Sequence, residues 1–143
     1  MSASLDFFDS NVLLYAIDAD AAPEKRRISR DLIGQALTQQ SAVISWQVVQ
    51  ETLNVATHKF KASISAADRK DLLHNVLQPL WKVQPDTALH TWAIDLQQRL
   101  GFAFHDSLIV AAALQAGCKR LLSEDLQDGQ RIGSLRVENP FRP

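Results

Sequence analysis

Leu5-Asp6-Phe7-Phe8-Asp9-Ser10-Asn11-Val12-Leu13-Leu14-Tyr15 is the stretch on which the fold turns. A short, largely apolar run ends in a polar turn, Asp9-Ser10-Asn11, and an apolar segment with the character of a short helix follows over 12–17. That is the pattern of a buried strand running into a helix. The same cadence recurs downstream. Ala42-Val43-Ile44 reads as a second strand, with Ser45 as the N-cap of a helix over 46–61 that carries Val49, Leu53, Ala56 and Phe60 on one stripe. Trp81-Lys82-Val83, Arg120-Leu121-Leu122-Ser123 and Leu135-Arg136-Val137 are three further strand candidates. Helices are predicted over 24–38, 65–77, 85–100 and 106–116. The third of these has Ala88, Trp92 and Leu96 in phase and Gly101 as its C-cap, and Gly117 stops the fourth. Short apolar strands alternating with helices need cover on both faces. The fold class predicted is therefore α/β, a three-layer α/β/α sandwich with a five-stranded parallel sheet.

The chain of 143 residues is expected to form one domain over 1–143, with no repeat, low-complexity tract or linker. Hydrophobic residues make up 46% and charged residues 22%, which argues against disorder. The lone cysteine, Cys118, excludes an intramolecular disulfide and a cysteine-based zinc cluster, and it reads as a small core residue. No apolar run is long enough to cross a membrane, and Met1 to Asp9 lacks the basic start of a signal peptide, so a cytoplasmic location is expected. The net charge of −1 means that nucleic-acid binding cannot rest on bulk positive charge; it needs a local basic patch, with metal ions offsetting an acidic site.

The acidic residues carry the chemistry. Asp9 follows the first strand, Glu51 lies early in the helix after the second, Asp106 opens the helix before the fourth, and Asp125 and Asp128 follow the fourth. In a parallel sheet, the C-terminal ends of strands and the N-terminal ends of helices share one edge, and ligands bind there. Taken singly, Asp9, Asp106 and Asp125 each also read as a helix N-cap. Glu51 shares a stripe with Val48 and Val55, so it points partly inward and needs a cation or a donor. Converging like charges repel unless a divalent ion joins them, and an all-oxygen set favours Mg²⁺ or Mn²⁺ over zinc.

Four stretches now stand together in order: Asp9-Ser10-Asn11-Val12-Leu13-Leu14-Tyr15, Gln47-Val48-Val49-Gln50-Glu51, His105 to Ala113, and Leu122-Ser123-Glu124-Asp125-Leu126-Gln127-Asp128-Gly129. They resemble the four motifs of PIN-domain nucleases, particularly the VapC toxins of bacterial toxin–antitoxin pairs. The resemblance spans nearly the whole chain. It implies a metal-dependent endoribonuclease in which Asp9, Glu51, Asp106 and Asp125 hold Mg²⁺ or Mn²⁺. Asp128 is a second candidate at the fourth motif. Ser123 matches the small hydroxyl residue that supports the site, and Asn11 a supporting polar residue. His105 stands where the family often has an aromatic residue. The resemblance further implies an RNA substrate, a small cognate antitoxin that covers the acidic pocket, a homodimer, and five parallel strands.

Other readings of the same residues are a catalytically silent PIN fold that binds RNA or acts as a scaffold, a phospho-receiver module, and a dehalogenase-type phosphatase. A receiver needs adjacent early acids and a lysine after the last strand; Asp6 and Asp9 are not adjacent, and Leu135-Arg136-Val137-Glu138 supplies no lysine. The phosphatase needs Asp-x-Asp where this chain has Asp9-Ser10-Asn11. The densest basic cluster, Lys25, Arg26, Arg27 and Arg30, is the candidate RNA contact, with Lys59, Lys61, Arg69 and Lys70 next. Trp46, Trp81 and Trp92 are expected in the core, and His58, His74 and His90 on the surface.

Overall fold

The computed structural model describes residues 4–58 and 64–142. Strand β1 (Asp6–Phe8) leads into helix α1 (Ser10–Ile17), and α2 (Pro23–Gln39) returns to β2 (Ala42–Ser45). Helix α3 (Trp46–His58) follows. The predicted end of that helix, including Phe60 and Lys61, and the basic candidate Lys59 lie outside the described residues. Helix α4 (Ala66–Leu72) continues through a wider π turn at Leu73–Leu77 into α5 (Gln78–Leu80) and β3 (Trp81–Val83). Then come α6 (Thr87–Leu100), α7 (Phe104–Gln115), β4 (Arg120–Leu122), β5 (Arg131–Ile132) and β6 (Leu135–Glu138).

The strands form one sheet in the order β3-β2-β1-β4-β6-β5. All five strands read from the sequence are present and parallel. A sixth, β5, pairs antiparallel with β6 through Ile132 and Leu135. Only Gly133 and Ser134 separate those two residues, and Gly133 has φ +59°, as a tight hairpin turn requires. A two-residue strand with Arg131 exposed has no hydrophobic run to announce it.

The strands are short and apolar because both faces are covered. Phe7, Ile44, Leu121 and Val137 are fully buried, and α7 contributes Ile109 to Ala113 to the same core. Helix α7 begins two residues before Asp106, which sits in its first turn. Helix α6 departs from the predicted phase. Asp86 caps it by accepting the Leu89 N–H at 2.7 Å, and Leu89, Ala93 and Leu96 face the core while Ala88 and Trp92 are exposed. Trp46 is also exposed at 41% and Trp81 half-buried, so the tryptophans are not core residues as a group. Cys118 is buried, and His58, His74 and His90 are exposed, as expected.

The order of the strands positions the site. The chain lays β2 and β3 to one side of β1, then crosses to add β4 and β6 on the other. The order therefore reverses between β1 and β4, and the crevice beyond the C-terminal ends of those two strands is the natural binding place of such a sheet. Asp9 directly follows β1, and Ser123 directly follows β4.

Candidate metal centre

Asp9 is the centre of the arrangement. Its backbone N–H donates to Leu122 O at 3.0 Å, which ties the end of β1 to β4. Its side chain is only 5% exposed. Oδ1 accepts the Ser10 N–H at 2.7 Å, so Asp9 is the N-cap of α1. Oδ2 accepts the Ser123 hydroxyl at 2.6 Å. The capping and the site readings thus hold for the same residue, one oxygen serving each. Burial raises the carboxyl pKa to about 6 against the two hydrogen bonds, and the charges of Asp125 and Glu51 push it in the same direction.

Ser123 and Asn11 organise the neighbouring acid. The Ser123 Oγ accepts the Asp125 N–H at 3.1 Å, and Asn11 Nδ2 donates to Asp125 Oδ2 at 3.2 Å. Asn11 Oδ1 is buried with no hydrogen-bond partner. Asp106 is half-buried; burial raises its pKa, His105 opposes this, and Asp125 and Glu51 add to it. Glu51 and Asp125 each bear electrostatically on both Asp9 and Asp106, so acids that the sequence scatters along the chain lie near enough to act on one another.

Asp128 is placed elsewhere. Its Oδ1 accepts the Asn139 N–H at 2.8 Å and its Oδ2 pairs with Arg142 at 3.0 Å. These contacts hold its pKa below the ordinary carboxylate value. The Asn139 N–H and Arg142 engage both oxygens of a side chain that sequence spacing alone made a rival to Asp125, so Asp128 pins the C-terminal segment instead of joining the acidic group.

The donor set fits a hard divalent cation. It is all oxygen, it carries like charges, its central carboxylate is buried, and it leaves the Asn11 acceptor unpartnered. Among the described residues, no three His, Cys, Asp or Glu side chains stand close enough together to hold a metal ion as they are placed.

Glu51 has an unforeseen companion. Its Oε2 lies 2.9 Å from His105 Nε2. Gln47 Nε2 donates to the backbone oxygen of His105 at 3.1 Å and approaches its Nδ1 at 2.9 Å. An amide nitrogen that donates to a carbonyl donates to the ring nitrogen too. Nδ1 is then the acceptor, and Nε2–H is left to donate to Glu51. The signal in the sequence was faint: His105 precedes Asp106, and Gln47 is one helical turn before Glu51.

The basic cluster is largely committed to the protein itself. Lys25 pairs with Glu124 at 3.1 Å. Arg27 bridges Glu24 and Asp31, and Arg30 Nε donates to Ala16 O at 3.0 Å. Arg26, half-buried, has a buried Nε without a partner. Glu124 stands between Ser123 and Asp125 and also contacts the Tyr15 hydroxyl, and Lys25 Nζ lies 4.8 Å from the Tyr15 ring centroid. Phe141 closes on Tyr15 edge-on, with centroids 5.0 Å apart. A larger cleft of about 610 Å³ opens at the other edge of the sheet, by Leu5 and Ala42, and none of the acidic candidates lines it.

The model of the PIN domain matches residues 7–130, from β1 to the end of the acidic loop. The chain belongs to the PIN-domain family. No curated protein matches it in sequence. Among solved structures, this PIN domain is similar to VapBC2 from Rickettsia felis bound to a DNA fragment from their promoter, with a TM-score of 0.68 at 17% identity, covering 94% of this chain and 98% of that one. DNA-bound VapBC from Salmonella typhimurium gives a TM-score of 0.67 at 15% identity, covering 96% and 99%. VapC20 from Mycobacterium tuberculosis, a sarcin–ricin loop cleaving toxin, gives 0.62 at 17% identity, covering 81% and 86%. At such identities the likeness is one of fold, and it extends over nearly the whole chain. No helix among the described residues is long and apolar enough to cross a membrane.

Proposed function

We propose that this PIN domain is a divalent-metal-dependent endoribonuclease and the toxin of a VapBC-type toxin–antitoxin pair, acting as one domain in the cytoplasm. The observation that supports the reading is the hydrogen-bonded group of Asp9, Ser123, Asn11 and Asp125 at the edge of the sheet where the strand order reverses, with Glu51 and Asp106 bearing on it electrostatically. The similarity to VapC20 and to two VapBC complexes supports the choice of RNA as substrate and of an antitoxin as partner.

Asp9, Asp106 and Asp125 would hold Mg²⁺ or Mn²⁺, with Glu51 as a further ligand or the group that orients the attacking water. The ion, when bound, acidifies water and offsets charge on the phosphate. The chain's own residues supply the rest. Ser123 fixes the Asp9 carboxylate and the Asp125 backbone at once, and Asn11 holds the Asp125 side chain. His105, held by Gln47, donates to Glu51 and keeps that carboxylate aimed. No protein nucleophile is needed.

The acidic edge also suits an arginine of an antitoxin, since a cluster of carboxylates around the buried Asp9 attracts a guanidinium as it attracts a cation. The chain is proposed to act as a homodimer, as the VapC resemblance implies. The test is cleavage of a mixed RNA pool with Mg²⁺, Mn²⁺ or EDTA, using Asp9→Asn as the control. Cleavage that needs the ion and Asp9 is expected. Cleavage that survives EDTA and Asp9→Asn overturns the reading, and binding of RNA without cleavage leaves the silent PIN fold.

A further inference from the structure

A second cavity, of about 150 Å³, adjoins the acidic group. It opens beyond the ends of β2 and β3, between the starts of α3 and α7 and the first turn of α6. Trp46, Gln47, Pro85, His90, His105 and Leu108 line it. Its wall is continuous with the candidate centre, because Gln47 and His105 line the cavity while His105 also touches Glu51.

Three features define an occupant. First, the volume is well below the ~300–1,000 Å³ of clefts that enclose whole ligands, so it admits one ring system and not a nucleotide. Second, the walls are chiefly apolar and aromatic, and Trp46 keeps 41% of its surface exposed. Third, the polar side chains at the cavity are two amides, two imidazoles and the Ser45 hydroxyl, which read the donor and acceptor edges of a heterocycle, with no lysine or arginine among the lining residues to bind a phosphate. Sequence-selective RNA binding uses unstacked bases laid on aromatic side chains and read along their edges.

We propose that this cavity is a subsite for one unstacked nucleobase of single-stranded RNA, held against Trp46, next to the phosphate at the acidic group. The proposal rests on the ribonuclease reading for the identity of the strand. The pocket fixes which nucleotide stands beside the cut, and so sets sequence preference, while the carboxylates act on a phosphate common to all sequences.

The experiment measures affinity for labelled single-stranded RNA hexamers in Ca²⁺, with intact strands and with strands carrying one abasic position in turn. Variants are Trp46→Ala, Trp46→Phe and, as an exposed tryptophan outside the cavity, Trp92→Ala. Loss of one stacked base corresponds to about 1–3 kcal/mol, a ~5- to 150-fold weakening. Trp46→Ala should show it, Trp46→Phe should restore most of it, and Trp92→Ala should bind as wild type. One abasic position should weaken the wild type by a like factor and leave Trp46→Ala unaffected. Melting curves of the variants report whether each is folded. Equal affinity of folded Trp46→Ala and wild type, at every abasic position, overturns the proposal. So does a Trp46→Ala protein that binds RNA normally but no longer holds its antitoxin, which assigns the cavity to a protein partner. The same hexamers in Mg²⁺ keep the two readings apart. Wild type that binds with the expected pattern but never cleaves removes the nuclease reading alone. Wild type that cleaves, with Trp46→Ala cutting the same bonds at the same rate, removes the base pocket alone.

Discussion

The Ser123 hydroxyl donates to Asp9 Oδ2 at 2.6 Å across 114 residues of sequence, and it does so while accepting the Asp125 N–H at 3.1 Å. One fully buried hydroxyl thus joins the ends of β1 and β4 and sets two acids relative to each other. Ser123→Ala leaves a buried carboxylate and a backbone donor each short of a partner. A loss of about 1–3 kcal/mol is expected at neutral pH. The Ser123 bond lowers the Asp9 pKa, so the loss should shrink near pH 4.5, where the carboxyl is protonated. Urea unfolding of both proteins at the two pH values checks this, and an equal penalty at both would mean that the hydroxyl does not act through the Asp9 charge.

Asp9 itself opposes folding when charged. Its ordinary pKa of 3.8 is raised to about 6 in the folded protein, chiefly by burial. The folded state therefore prefers the protonated form. The cost is absent below the unfolded pKa, grows as pH rises between the two values, and is complete above the folded one. Its ceiling is about 3 kcal/mol, from a shift of about two units. In EDTA the wild type should lose stability from pH 4 to pH 7 through this group, and Asp9→Asn should flatten that fall. The same variant should lose metal-dependent cleavage by orders of magnitude. A variant that is both inactive and less stable at pH 7 would point to damaged packing instead.

How much of this was legible in the sequence follows from what each residue's neighbours reveal. The five parallel strands were legible because burial on both faces leaves unbroken apolar runs such as Phe7-Phe8 and Leu121-Leu122. β5 was not, since a hairpin of Arg131-Ile132 against Leu135 is defined by a partner and a glycine turn, not by a run. The phase of α6 was misread because apolar residues occupy two adjoining stripes, and the Asp86 cap decides between them. Asp9 was singled out from its place after a strand, and Ser123 and Asn11 through the resemblance to the PIN-domain motifs. His105 and Gln47 were missed as partners of Glu51 because that link joins two helices, and spacing within either one carries no trace of it.

Lys25 illustrates the same limit for charge. Its place in a basic run suggested contact with RNA, yet it bridges to Glu124, whose two neighbours are Ser123 and Asp125. Its side chain is 38% exposed and that of Glu124 21%, so the pair itself contributes about 1 kcal/mol or less. The expected effect of Lys25→Met is therefore on the order of the acidic loop. Metal-dependent cleavage should fall several-fold, while the salt dependence of RNA binding should keep its slope. A slope reduced by about one unit would show instead that Lys25 leaves Glu124 for a phosphate. Glu124→Gln should match Lys25→Met, and the double variant should be no worse than either, as for two members of one contact.

Asp125 and Asp128 stand three residues apart and look alike in the sequence, and their surroundings separate them. Asp125 is held by Ser123 and Asn11 and acts on the charge state of Asp9 and Asp106. Asp128 binds the Asn139 N–H and Arg142, which hold the C-terminal segment whose Phe141 packs on Tyr15. Asp125→Asn should therefore abolish metal-dependent cleavage and weaken Mn²⁺ binding measured calorimetrically, with little change in melting temperature. Asp128→Asn should retain Mn²⁺ affinity and most of the activity. Its effect should appear as faster hydrogen exchange around Asn139 to Arg142. The depressed Asp128 pKa adds a sign: its contribution is present above the ordinary carboxylate value and lost as pH falls through the folded one, so the C-terminal segment of the wild type should loosen in acid. Loss of Mn²⁺ binding in Asp128→Asn, with Asp125→Asn unaffected, would exchange the two roles and place the ion farther along the loop than the hydrogen bonds of Ser123 and Asn11 imply.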